Sequence, residues 1–150
     1  MTPRPKLDVL DRLRRGVTTR SAEETRTLAE DLARELPADT AVALYGDMGV
    51  GKTTFVQGLA RGLGVHAPVT SPTFAIYSVY RGDGRTLLHL DAYRLENERA
   101  VEALLVDDFL VSPWCLAVEW PDKVASWLPP GALQLVLSIE PGNRHRVRLR

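Results

Sequence analysis

Thr25, Leu28, Ala29, Leu32 and Leu36 recur at the three- and four-residue spacing that lines one face of a helix. Ser21 stands ahead of them as an N-cap, and Glu23 and Glu24 fall in the first turn, where the helix dipole favours negative charge. Pro37 stops the element. Thr40 to Tyr45 is a short apolar run of the length of a buried strand, and Thr53 to Leu63 returns to helical spacing, with Phe55, Val56, Leu59 and Leu63 near one face. Downstream the period drops to two. Ala75 to Tyr80 alternates, Arg81 to Arg85 is a hairpin-length turn, and Thr86 to Leu90 is a second strand ending at Asp91. The pair predicts an antiparallel hairpin.

Glu96 to Leu105 predicts a polar helix with Val101, Leu104 and Leu105 on one side. With Asp107 and Asp108 it makes an acidic stretch, either a solvated face or a partner surface. Trp114 to Val118 reads as an apolar strand ending at Glu119-Trp120, after which Pro121 breaks the strand and opens a short helix up to Leu128. Leu133, Leu135, Leu137 and Ile139 alternate with Gln134, Val136, Ser138 and Glu140. Pro141-Gly142-Asn143 turns the chain, and Arg146, Arg148 and Arg150 then alternate with Val147 and Leu149 in a closing hairpin. Residues 1–17 leave a frayed arm, a short helix and an extension open. Residues 1–20 are set apart as an N-terminal extension and residues 21–150 as a single domain.

Composition changes this picture little. A chain of 150 residues can bury a substantial core. Nineteen basic and nineteen acidic residues balance, so overall charge does not announce a nucleic-acid binder. The lone Cys115 excludes an internal disulfide and reads as a buried thiol. No stretch is apolar and long enough to cross a bilayer, and no signal-type core follows the N-terminus, so the expected location is cytoplasmic.

Chemistry enters at Gly46-Asp47-Met48-Gly49-Val50-Gly51-Lys52-Thr53-Thr54, which fits G-x-x-x-x-G-K-[ST]. Glycines let consecutive backbone N–H groups turn inward onto phosphate oxygens. Lys52 supplies a mobile charge for the β- and γ-phosphates, and the Thr53 hydroxyl can ligate Mg²⁺. The loop lies between a strand and a helix, as the motif requires if the helix N-terminus is to face phosphate. Two acids, Asp91 and Glu119, end apolar strands, where α/β sheets display site residues. One would organise Mg²⁺ and the other the attacking water. The loop from Gly64 to Phe74 carries two prolines and the hydroxyls of Thr70, Ser71 and Thr73, a composition suited to a mobile segment beside phosphate.

Taken in order, the stretches Gly46 to Thr54, Val69 to Phe74, His89 to Leu95 and Val118 to Pro121 resemble the TsaE family, small bacterial ATPases of tRNA threonylcarbamoyladenosine biosynthesis. The resemblance runs from about Ser21 to about Pro130. Val50 stands where the family usually has alanine and Ala92 where a larger apolar residue is common. It implies a P-loop NTPase-like three-layer α/β fold, whose mixed, mostly parallel central sheet carries antiparallel hairpins. It also implies ATP and Mg²⁺ at the loop, with Thr53 and Glu119 toward the metal, and Lys52, Asp91 and Glu119 in the catalytic role. Thr70, Ser71 and Thr73 would form a loop like switch I of GTPases, with Tyr93, Arg94 and Trp120 beside the site. TsaB-like and TsaD-like proteins are the implied partners, with tRNA met through the complex and no DNA or membrane expected. The alternating arginines at the end of the chain then have two readings, contact with tRNA phosphates or protection of an edge strand. No Asn-Lys-x-Asp stretch marks guanine recognition. A small-molecule P-loop kinase and a non-hydrolysing nucleotide-dependent binding module are the rival readings.

Overall fold

The structure, a computed structural model, describes residues 8–72 and 75–150. The stretches expected first are present. Helix α2 (Ala22–Glu35) is capped by Ser21, whose hydroxyl accepts from the Glu24 N–H at 3.1 Å. Strand β2 (Thr40–Tyr45) runs into the glycine loop, and α3 (Lys52–Gly62) leaves it. Ahead of them lie α1 (Val9–Arg15), capped by Asp8, and the short strand β1 (Val17–Thr19). Within the N-terminal stretch left open, the described residues form a helix and a strand, because Val9 and Leu13 have a core to enter. The rest comprises β3 (Tyr77–Arg81), β4 (Thr86–Asp91), α4 (Glu98–Ala103), β5 (Trp114–Glu119), β6 (Leu133–Glu140) and β7 (Arg144–Leu149).

Among the described residues the strands form one sheet in the order β1-β7-β6-β2-β5-β4-β3. The central pairs β6/β2, β2/β5 and β5/β4 are parallel, and the hairpins β3/β4 and β6/β7 are antiparallel, as is β1/β7. This is the expected mixed α/β architecture. The central strands are buried on both faces, so they read as continuous apolar runs. On one face α1, α2 and α3 bring Leu13, Leu32, Phe55 and Leu59 against Leu44, Leu87 and Leu135. On the other, α4 and a 3₁₀ segment (Pro121–Trp127) bring Val101 and Val124 against Leu88, Leu90, Leu116 and Val118.

Three local expectations fail for identifiable reasons. The strand read from Ala75 begins at Tyr77, because Ile76 has φ 69°, which breaks the extended backbone. The polar helix is shorter than Glu96 to Leu105. Asn97 caps it, and Leu105 leaves it with φ 53°, turning its side chain to solvent instead of placing it beside the buried Val101. The closing strand β7 is not an edge over His145–Val147, where β1 pairs with it, so edge protection does not explain Arg146. Arg146 donates to the Arg15 carbonyl at 3.1 Å, and the Arg150 guanidinium lies over the Tyr45 ring at 4.4 Å.

Candidate active site

The sheet's parallel centre delivers two carboxylates to one place. Asp91 and Glu119 end adjacent strands in register, and α3 begins opposite them. Gly49 and Gly51 have φ 82° and 99°, a backbone region that side chains with a Cβ rarely enter, so the loop turns where glycine permits. At Gly46 a Cβ would lie 2.5 Å from the Leu137 carbonyl, so the loop's first residue must also be small. Gly51 caps α3 without a side-chain hydrogen bond, and the first backbone bond of the helix is donated by the Phe55 N–H to the Gly51 carbonyl. The N–H groups of Lys52, Thr53 and Thr54 precede that bond and point out of the helix start, an anion-binding arrangement.

They open onto a cleft of about 350 Å³ lined by Met48, Gly49, Gly51, Lys52, Thr53, Thr54, Ser71, Asp91, Glu119 and Trp120. The Thr53 hydroxyl lies 3.3 Å from Glu119 Oε2. Asp91 accepts the Tyr93 N–H at 3.0 Å on Oδ1, which fixes its carboxyl at the strand end. Lys52 is buried; its Nζ donates to the Gly46 carbonyl at 2.5 Å and sits 3.6 Å over the Trp120 ring. Burial pushes the Lys52 ammonium below its ordinary pKa, against the attraction of Glu119, Asp91, Asp47 and Asp122. Trp120 adopts a left-handed backbone, φ 57° and ψ 51°, directly before Pro121, and its ring also meets Tyr93 at 5.1 Å. A left-handed non-glycine residue is strained by about 1–2 kcal/mol, and here the strain accompanies the ring's position over the lysine.

Not every anticipated residue lines the cleft. Val50 is in the core, Asp47 is exposed, and Gly46 contributes its carbonyl to Lys52. Ser71 reaches the cleft wall; Thr70 is exposed and does not line it. Thr73 lies outside the described residues. Tyr93 supports Trp120 from outside the cleft lining, and Arg94 is exposed away from that lining.

Two histidines were missed. His145 Nδ1 bonds the Val50 carbonyl at 3.0 Å, tying β7 to the glycine loop. His89, fully buried, places Nε2 2.5 Å from Glu119 Oε2. The first had no sequence signal, being one position in an arginine alternation. The second had one: a polar residue inside an apolar strand, two before Asp91 and therefore on the same face.

The donors present are oxygens on a threonine and two carboxylates. Among the described residues no cluster of three or more His, Cys, Asp and Glu side chains forms a ready-made metal cage. The set fits Mg²⁺, a hard cation that keeps several waters and takes one or two carboxylates together with substrate phosphates.

The profile of the family described as threonylcarbamoyl adenosine biosynthesis protein TsaE matches residues 19–147. The chain belongs to the TsaE family. The tRNA threonylcarbamoyladenosine biosynthesis protein TsaE of Synechocystis is 43% identical over 99 residues, 63% of this chain and 62% of that protein, so the match spans somewhat less than two thirds of that relative. The TsaE protein of Bacillus subtilis is 38% identical over 119 residues, covering 79% of this chain and 74% of its own length. The crystal structure of Bacillus subtilis YdiB superposes with a TM-score of 0.75 at 29% identity, covering 89% of this chain and 82% of that one. With TsaE membership comes the family's place in threonylcarbamoyladenosine biosynthesis. Among the described residues no helix is long and apolar enough to cross a membrane.

Proposed function

We propose that this TsaE-family chain is a Mg²⁺-dependent ATPase of the cytoplasm that supports transfer of a threonylcarbamoyl group to tRNA, acting with TsaB-like and TsaD-like proteins. The observation that carries the ATPase reading is the meeting of α3's outward N–H groups with Thr53, Glu119 and Asp91 in one cleft. In this reading the N–H groups of Lys52, Thr53 and Thr54 and the Lys52 ammonium bind the phosphates of ATP. Lys52 leaves the Gly46 carbonyl and the Trp120 ring to do so. Thr53 and Glu119 hold the metal, which when bound neutralises charge on the phosphate oxygens. Asp91, its carboxyl fixed by the Tyr93 N–H, orients the attacking water. Ser71 meets the γ-phosphate from the cleft wall, as part of a loop that acts as a switch. The tRNA is met through the complex, and hydrolysis resets the assembly.

The test is phosphate release from MgATP by the chain alone and with TsaB-like and TsaD-like proteins. Release that needs no acceptor, rises with the partners and disappears in Lys52→Ala is expected. Strict dependence on a small-molecule acceptor would instead favour a kinase, and nucleotide binding without any turnover would favour a binding module.

A further inference from the structure

Strand β4 is buried along its length, and His89 is the imidazole within it, between Leu88 and Leu90. Strand alternation turns His89 and Asp91 to the same face, and register sets Asp91 beside Glu119 on β5. The His89 Nε2 lies 2.5 Å from Glu119 Oε2. A carboxylate oxygen only accepts, so Nε2 is the ring nitrogen that donates to Glu119. The other ring nitrogen, Nδ1, is buried and has no hydrogen-bond partner among the described residues. An aliphatic side chain would occupy such a place without burying a polar ring, so packing alone does not account for histidine there. Among the described residues the ring makes one hydrogen bond, to one oxygen of one carboxylate, and the Thr53 hydroxyl touches that same carboxylate from the start of α3.

We propose that His89 is a positioning residue for Glu119. By holding Oε2 it fixes the carboxylate's rotamer and leaves Oε1 as the oxygen available to a cation beside Thr53. This rests on the ATPase reading, which assigns the metal to that carboxylate. Groups that orient a metal-ligating side chain from behind raise metal affinity, and their loss costs about 10–100-fold.

The discriminating pair is His89→Gln and His89→Asn. Both bury an amide. The glutamine nitrogen extends about as far as Nε2, whereas the asparagine nitrogen stops near the position of Nδ1, where no described residue accepts it. Mn²⁺ affinity, read by EPR in the presence of a non-hydrolysable ATP analogue, should fall about tenfold or more in His89→Asn and stay within about threefold of wild type in His89→Gln. His89→Leu, compatible with the neighbouring leucines, should match His89→Asn and replaces it should the asparagine variant not fold. Equal affinities for the glutamine and loss variants would overturn the proposal while leaving the ATPase reading standing. Absence of analogue-dependent Mn²⁺ binding in the wild type would overturn both. In the metal-free protein, long-range ¹⁵N NMR should place the His89 hydrogen on Nε2; a ring protonated only on Nδ1 would overturn the assignment.

Discussion

Glu119 and Asp91 are chemically alike and end neighbouring strands, yet their surroundings differ. Glu119 is almost wholly buried, touched by Thr53 and His89, whereas Asp91 is half-buried and bonded to the Tyr93 N–H that follows it. A carboxylate held against the Thr53 hydroxyl suits a metal ligand, and one at the cleft wall whose second oxygen has no partner among the described residues suits a water. Glu119→Gln should therefore raise the Mg²⁺ concentration needed for half-maximal turnover and weaken nucleotide binding. Asp91→Asn should lower turnover by about a hundredfold or more while nucleotide still binds. Mg²⁺ titrations of the ATPase rate in both variants decide this, and a larger Mg²⁺ shift in Asp91→Asn would reverse the two roles. At this scale the site was legible where chemistry is local: a glycine that must turn, a lysine and threonine at fixed offsets, an acid closing an apolar run. His145 was not, because its bond to Val50 joins residues far apart in sequence and depends on β7 lying near the loop. Nor was the resting position of Lys52 over Trp120, which follows from the tryptophan's left-handed backbone.

At the scale of elements, period and caps gave α2, β2, α3 and the two hairpins, because their apolar faces are continuous and their ends carry Ser21, Pro37 and glycine-rich turns. What periodicity did not reveal is how closely α2 and α3 approach. Phe55, Val56, Leu59 and Leu63 do enter the core, but the contact between the helices also runs over Gly58 and Gly62. A Cβ on Gly58 would stand 2.2 Å from the Arg26 carbonyl and 2.6 Å from the Ala29 Cβ; one on Gly62 would stand 2.6 Å from the Glu30 carbonyl. Gly58 and Gly62 thus let α3, which presents its N-terminus to the cleft, lie directly on α2. Alanine in a helix is ordinarily better than glycine by about 1 kcal/mol. Here the obstacle is backbone, which cannot rotate away, so overpacking sets the sign. Gly58→Ala should destabilise the protein by about 1–3 kcal/mol in urea unfolding, and a gain in stability would mean that the helices separate freely. The arginine pattern failed at this same scale: the strand was read correctly, but its place inside the sheet depends on β1, too short at three residues to carry a periodic signal.

For the molecule as a whole, the site is assembled from β2, α3, β4 and β5 and exists only when the sheet is paired, so ligand binding and global stability are linked. Cys115 reports on that link without belonging to the site. It lies on β5, paired with Thr40 on β2 and Leu87 on β4, and is buried between them. Burial raises its thiol pKa from 9.0 to about 12. Because the folded value lies above the unfolded one, this contribution to stability is fully present below about pH 9. It is lost as pH climbs toward 12, where the unfolded chain ionises first. At pH 8 a disulfide reagent should therefore modify Cys115 only through molecules in which the central strands have parted, at a rate set by the opening equilibrium. A ligand that binds the folded chain alone slows such labelling by the factor 1 + [L]/Kd, about a hundredfold at a hundred times Kd, equivalent to about 2.7 kcal/mol. MgATP at that excess should slow Cys115 labelling by about that factor in the wild type and hardly at all in Lys52→Ala, whose fold is expected to persist because the lysine serves phosphate and not the core. Rapid labelling of the ligand-free wild type, at the rate of an exposed thiol, would place Cys115 outside a closed core. Equal protection by MgATP in both proteins would detach nucleotide binding from Lys52 and with it the reading of the cleft.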